Sequence, residues 1–333
     1  MTSENLMSAA ARPALAIELL AVHSVDEFVF SVPDLEQARH FYTHFGLDVR
    51  DESGALALYT HGHPHRWARI LPGATKRLLW LSLGIHAADE KRFEQRLAGQ
   101  EITGIAAPSG ADAGGIWIEG PDSLPLQLRV AGKSSPSKAA PRDLPPPSSN
   151  AGRSPSRSQT QAVRPLYLSH ILLFSADVDG AVSFYEEILG LRLSDKSGSV
   201  IAFMHSPHGS DHHLVAFAKS TGAGLHHSSW CVPSIDAVGL GTQQMAQAGY
   251  EQGWGIGRHV LGSNYFRYVR DPWESYAEYS YDIDFVEAGS AWPSADHIAE
   301  DSLYVWGPAV PQDFIVNHEK CQPVDRAVKE ITS

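Results

Sequence analysis

The chain is 333 residues long, 43% hydrophobic and 9% aromatic, with 26 Lys and Arg against 38 Asp and Glu for a formal net charge of −12. That length holds two ordinary domains, and the apolar content excludes a wholly disordered chain. The acidic balance argues against partners held through phosphate, so neither nucleic acid nor an anionic membrane surface is expected to bind. The two cysteines, Cys231 and Cys321, form no CxxC pair, and no apolar run reaches the length of a membrane span. A reduced, cytoplasmic setting is expected. Seventeen histidines are the compositional oddity. Histidine binds metals and carries protons near neutral pH, so position must decide what these do.

Residues 1–22 read as a flexible tail: Glu18 interrupts the apolar stretch, and acidic Glu4 stands where a signal peptide would be basic. An apolar strand then opens at Glu27, Asp34 takes an N-cap position, and an amphipathic helix follows. Its apolar face carries Leu35, Ala38, Phe41, Tyr42 and Phe45, and Gly46 ends it. Strand candidates follow at 55–59, 67–71 and 78–83, then a helix over roughly 88–98 and two strands around Pro121. Residues 132–165 are rich in Ser and Pro and read as a flexible spacer. Their basic residues leave a docking role open.

Beyond the linker the pattern repeats. His170 opens a strand, Asp177 caps a helix with Val178, Ala181, Val182, Tyr185, Ile188 and Leu189 on one face, and Gly190 closes it. Strands at 200–205, 214–218 and 225–232, a helix over roughly 235–248 and two strands around Pro272 complete the second copy. Each half therefore reads as a doubled βαβββ module, an α+β fold whose curled sheet makes a half-open barrel. Residues 282 onward show aromatics and prolines without periodicity and read as an irregular arm.

Aligned on the prolines, Gln127 falls on Glu278 and Trp117 on Tyr268; aligned on the capping aspartates, Glu27 falls on His170. The second copy adds His227 on a facing strand. His170, His227 and Glu278 lie 57 and 51 residues apart, each on its own strand. Two imidazoles and a carboxylate on one face match the facial triad of non-haem iron(II) oxygenases, which leaves open positions for a chelating substrate and O2 together. His212 and His226 adjoin other histidines. Neighbours on a strand point to opposite faces, so the preceding member of each pair is read as structural or supporting. His205 and His208 are expected at the surface.

The second half resembles the type I extradiol ring-cleaving dioxygenases of the vicinal oxygen chelate superfamily. The resemblance rests on Ser169-His170-Ile171, on the segments around His213 and His227, and above all on the run from His259 through Tyr268 to Glu278. It covers the later domain, with the first domain as a metal-free copy. It implies two tandem vicinal-oxygen-chelate domains, 23–131 and a catalytic 166–290, followed by an arm over 291–333. It implies that His170, His227 and Glu278 hold Fe(II), with Mn(II) also suited to that set. It implies that His213 is an acid–base group and that His259 and Tyr268 contact the hydroxyl oxygens of a catecholic substrate, with O2 as co-substrate. A homo-oligomer is expected. The family's Asp-Pro-x-Gly turn carries Glu274 in place of glycine.

Relatives that take carboxylated catechols place an arginine where this chain has Trp254. An indole stacks but forms no salt bridge. Trp254 is therefore read as a substrate-binding residue for a neutral or aryl-substituted catechol. Two other readings belong to the same fold: a sequestering protein, which needs neither triad nor proton-transfer histidines, and a metal-dependent isomerase or lyase, which draws ligands from both copies.

Overall fold

The computed structural model describes residues 19–142 and 149–319. The N-terminal tail up to residue 18, part of the linker, and Cys321 lie outside the described residues.

The first half runs β1 (Ser24–Val32), α1 (Leu35–His44), β2 (Asp48–Glu52), β3 (Ala55–Tyr59), β4 (Arg66–Pro72), β5 (Arg77–Ile85), α2 (Glu90–Gly99), β6 (Ile116–Glu119) and β7 (Pro125–Val130). The second runs β8 (Tyr167–Ser175), α3 (Val178–Glu187), β9 (Arg192–Ser197), β10 (Ile201–His205), β11 (Ser210–Asp211), β12 (Val215–Lys219), β13 (Gly224–Cys231), α4 (Ile235–Gln247), β14 (Gly253–His259), β15 (Tyr265–Arg270) and β16 (Tyr276–Tyr281). The arm adds β17 (Phe285–Val286), β18 (Ala295–Asp296), α5 (Ala299–Ser302) and β19 (Tyr304–Trp306).

The strands form two large sheets with the same internal order. The first is β2-β3-β4-β1-β5-β7-β6, and the second contains β9-β10-β12-β8-β13-β16-β15 flanked by β18 on one side and β14 and β19 on the other. In both sheets the two inner crossover pairs are parallel, β1 with β4 and β5 with β7, β8 with β12 and β13 with β16. The second half is a full doubled βαβββ unit. The first lacks a counterpart of β14; only an isolated bridge from Gly104 to Ile118 stands there.

Local chemistry explains the helices. The Asp34 carboxylate accepts from the Gln37 amide at 2.9 Å and Asp177 from the Gly180 amide at 3.1 Å, so each helix starts with an orphan donor satisfied. Each ends at a left-handed glycine, Gly46 (φ 98°) and Gly190 (φ 75°). Backbone passes so close that a Cβ would lie 2.0 Å from the Val163 carbonyl oxygen at the first and 2.2 Å from that of Leu20 at the second. Burial of Ala38, Phe41 and Tyr42 on α1 and of Val178, Ala181 and Tyr185 on α3 pins both helices to their sheets. Each large side chain so buried contributes roughly 1.5–3 kcal/mol.

One continuous apolar core runs through both halves. Tyr279 stacks on Phe45 with centroids 4.0 Å apart and donates its hydroxyl to the Phe45 carbonyl at 2.9 Å. The linker is not wholly detached. Val163 is buried in the core, and the Ser135 hydroxyl donates to the His23 carbonyl at 2.7 Å. The arm is more regular than expected, because β19 extends the sheet beyond β14 and β18 pairs with β9.

Candidate metal centre and active site

Adjacent strands of the second sheet bring the expected donors together. Ser229 on β13 is the register partner of both His170 on β8 and Glu278 on β16, and His227 lies two residues along β13. Alternation along the strand puts these groups on one face. The Nε2 atoms of His170 and His227 lie 3.3 Å apart, and each is 3.4–3.5 Å from Glu278 Oε2. Bonds of about 2 Å from one ion at roughly right angles place donor atoms about 3 Å apart, so this spacing suits a single cation.

The hydrogen bonds leave the right atoms free. Glu278 is fully buried; its Oε1 accepts from Asn264 Nδ2 at 3.1 Å, whereas Oε2 has no hydrogen-bond partner. A buried carboxylate oxygen without a donor is costly unless a cation meets it. Among the described residues no Lys or Arg lines this cavity.

His226 fixes the ring of His227. His226 Nε2 lies 2.7 Å from the Phe314 carbonyl oxygen, which can only accept, so Nε2 carries the hydrogen and Nδ1 is bare. His227 Nδ1, 2.7 Å away, must then donate, which leaves His227 Nε2 as a lone pair facing His170 and Glu278. Burial pushes the His227 pKa well below the usual histidine value, and the positive forms of His226, His170 and His259 would push it further. The ring is neutral at pH 7, as a ligand requires. For Glu278, burial acts to raise the pKa, but the adjacent His170, with His259, outweighs it and holds the carboxyl below its ordinary value.

His213, His259 and Tyr268 line the same cavity, which encloses about 310 Å³. The His213 ring lies 3.9 Å from that of His170, and burial drives its pKa well down. His259 Nδ1 lies 2.8 Å from the Leu303 carbonyl oxygen and so carries the hydrogen. Its bare Nε2 accepts from the Tyr268 hydroxyl at 2.9 Å. Burial lowers the His259 pKa and raises that of Tyr268 well above the phenol value, so both are uncharged at neutral pH. Opposite stands an apolar wall that includes Leu172, Ile201, Phe203, Leu261, Val310 and Ile315.

Trp254 departs from expectation. Its indole does not line the cavity; it stacks behind Tyr268 at 5.6 Å and its Nε1–H donates to the Pro308 carbonyl at 2.9 Å. Gly253–His259 forms strand β14, and its register with β15 pairs Trp254 with Tyr268. The indole therefore buttresses a cavity residue from behind. His205 also differs: it is buried, with Nδ1 2.7 Å from the Ser194 hydroxyl. His208 is half-buried, 3.2 Å from the Ala21 carbonyl. Glu274 keeps the altered turn by adopting φ 75°, and its carboxylate pairs with Arg270. The register of Tyr268 with Glu278 is intact.

Comparison with known proteins agrees with this geometry. Residues 167–279 match the Glyoxalase/Bleomycin resistance protein/Dioxygenase superfamily. The chain is 47% identical over 317 residues to metapyrocatechase 2 of Cupriavidus necator, covering 95% of this chain and 97% of that one. The chain belongs to the extradiol ring-cleaving dioxygenases of the vicinal oxygen chelate superfamily. Solved structures of like fold include homoprotocatechuate 2,3-dioxygenase from Arthrobacter globiformis (TM-score 0.71, 17% identity, 91% and 93% of the two chains). Another is the Mn(II)-bound glyoxalase from Novosphingobium aromaticivorans (TM-score 0.69, 21% identity, 88% and 93%).

In this dioxygenase three contributors went unforeseen. Asn264 orients Glu278, and the arm supplies the Leu303 and Phe314 carbonyls that set two histidine tautomers. Asn264 lies inside the most family-like segment, which was a usable signal. The arm carbonyls had none, because any residue can present a backbone oxygen.

Proposed function

We propose that this dioxygenase opens a neutral or aryl-substituted catechol beside its diol, incorporating both atoms of O2, with Fe(II) held by His170, His227 and Glu278. The observation that carries the reading is two imidazole nitrogens and an otherwise unpartnered buried carboxylate oxygen, 3.3–3.5 Å apart, at the end of an apolar cavity. When bound, the ion supplies the redox and Lewis-acid chemistry that makes reaction of O2 with the ring spin-accessible. His259 and Tyr268 orient the diol oxygens. Neutral His213 takes a proton from a substrate hydroxyl on a bare ring nitrogen and returns it to an oxygen of the opening ring. The apolar wall receives the ring and excludes water, and the lack of a basic side chain among its described residues disfavours a carboxylated substrate.

The isomerase or lyase reading needs a ligand from the first half. There Glu27, the counterpart of His170, is already paired with Arg66 at 2.6 Å and Arg69 at 3.1 Å. The proposal extends to a reducing, cytoplasmic setting, in keeping with the free buried thiol of Cys231. It also extends to a homo-oligomer, in keeping with the exposed apolar side chains Ile298, Val305 and Trp306 on the arm. No helix among the described residues is long and apolar enough to cross a membrane.

Anaerobic loading with Fe(II), or with Mn(II) in parallel, followed by a catechol panel tests the reading. Yellow ring-opened product from catechol and 3-arylcatechols is expected. A strong preference for a carboxylated catechol would overturn the substrate class, and no product from any diol with either metal would overturn the activity.

A further inference from the structure

His212 is fully buried and makes two ring contacts. Its Nε2 lies 2.9 Å from Asp195 Oδ2, and its Nδ1 lies 3.0 Å from His213 Nδ1. Asp195 sits on β9, between β18 and β10 of the second sheet, and is not among the residues that line the cavity. Its two oxygens also accept from His297 Nε2 at 2.7 Å, Trp292 Nε1 at 3.1 Å and the Ala295 amide at 3.1 Å. Burial acts to raise its pKa, but hydrogen bonds from His212, His297 and Trp292 outweigh it and hold the carboxyl at about 2. Asp195 is therefore ionised and can only accept.

The proton positions follow. His212 must carry a hydrogen on Nε2 to meet the carboxylate, and a ring protonated there alone has a bare Nδ1. Two Nδ1 atoms 3.0 Å apart bond only if one bears a hydrogen. With His212 protonated on Nε2 alone, that hydrogen belongs to His213, which leaves His213 Nε2 as its lone pair.

We propose that Asp195 and His212 are positioning residues for ring cleavage: they hold His213 in the Nδ1–H tautomer, so that its Nε2 meets the substrate as a proton acceptor. The inference rests on the acid–base reading of His213 given above. Physically it is the familiar device of a buried carboxylate selecting one imidazole tautomer, here extended through a second ring. Trp292, Ala295 and His297 belong to the arm, so the arm anchors this chain from outside the cavity.

The test uses full-length chain with 15N-labelled histidine before metal is added, and the same preparations after Fe(II) loading for kinetics. The wild type should show His213 with Nδ1 protonated and Nε2 bare. His212→Leu removes the acceptor, so His213 should lose that tautomer preference and kcat should fall roughly 10–100-fold, with KM for catechol little changed. His212→Asn returns an acceptor oxygen near the old Nδ1 position and should recover most of the loss. Asp195→Asn, whose amide can donate, should drive His213 toward the Nε2–H form. Should His212→Leu fail to fold, the contrast between His212→Asn and Asp195→Asn carries the test. A wild-type His213 protonated on Nε2, or a folded variant set with unchanged tautomer and unchanged kcat, would overturn the proposal. Failure of the dioxygenase reading would look different: no turnover in the wild type, with the nitrogen signature still present.

Discussion

The two halves use one scaffold to opposite ends. Strand register places Ser82 opposite both Glu27 and Gln127, as Ser229 lies opposite both His170 and Glu278. Trp80 then occupies the place of His227, and Trp117 that of Tyr268. Arg66, two residues before the strand pairing of Ala68 with Phe28, occupies the place of His213, two before the pairing of Val215 with Ile171. In the first half every donor is occupied. Glu27 lies between two guanidiniums, and Arg69 also rests over the Trp80 ring at 5.4 Å. The Gln127 amide accepts from Ser82 at 2.6 Å and donates to the Gly114 carbonyl at 2.6 Å. In the second half Glu278 Oε2 and His227 Nε2 are left without a proton donor, and His170 Nε2 faces both. A metal site is thus made less by the fold than by which lone pairs the surroundings leave unpaired.

The contrast is broken most severely at the position that differs most. His227→Ala removes one of the three proposed ligands and should abolish both metal binding and ring cleavage, a fall of at least about 1,000-fold given that no neighbouring group replaces it. Near-UV circular dichroism should show the fold retained; full turnover would refute the ligand set. The mirror change, Trp80→Ala, should leave metal stoichiometry intact and cost about 3–5 kcal/mol of stability by emptying a fully buried indole site. Denaturant unfolding and metal titration separate the two effects, and lost metal with unchanged stability would invert the comparison.

Two buried aspartates sharpen it further. Burial raises Asp26 in the first half, but His65, Arg129 and Arg66 pull it back. Burial raises Asp211 in the second half to about 7, offset by the Ser169 and Tyr167 hydroxyls and by Lys133. Folding therefore binds a proton at Asp211 between about pH 4 and 7, and stability contributed there is lost as pH rises through that window. Asp211→Asn should flatten this fall, on the order of 2–4 kcal/mol, in unfolding measured from pH 5 to 8. A slope identical in the variant would remove Asp211 as its source. The smallest effect concerns Trp254. Trp254→Phe should lose about 1 kcal/mol with its bond to Pro308 and leave KM for catechol within a few-fold. A tenfold rise in KM would restore the indole to the substrate site.

Much was legible because periodicity and repetition are local signals. Glu27, His170, Gln127 and Glu278 could be aligned because each lies at a fixed distance from an N-cap aspartate or a turn proline. Trp80 escaped the alignment, since β5 and β13 carry bulges and no such marker. The outer strands β2 and β9 carry one apolar residue each, Val49 and Leu193, and show no apolar alternation, and β14 is interrupted by glycines.

Residue pattern alone determined the doubled α+β plan, the helix boundaries and the placement of His170, His227 and Glu278 on separate strands, because apolar spacing and capping act within a few residues. Tertiary structure alone decided that Trp254 supports Tyr268 from behind, that His205 is buried, and which nitrogen of His226, His227 and His259 bears its hydrogen. Those outcomes depend on carbonyls and side chains tens of residues away, and the hydrogen bond that selects one ring nitrogen exists only after the arm has closed over the sheet.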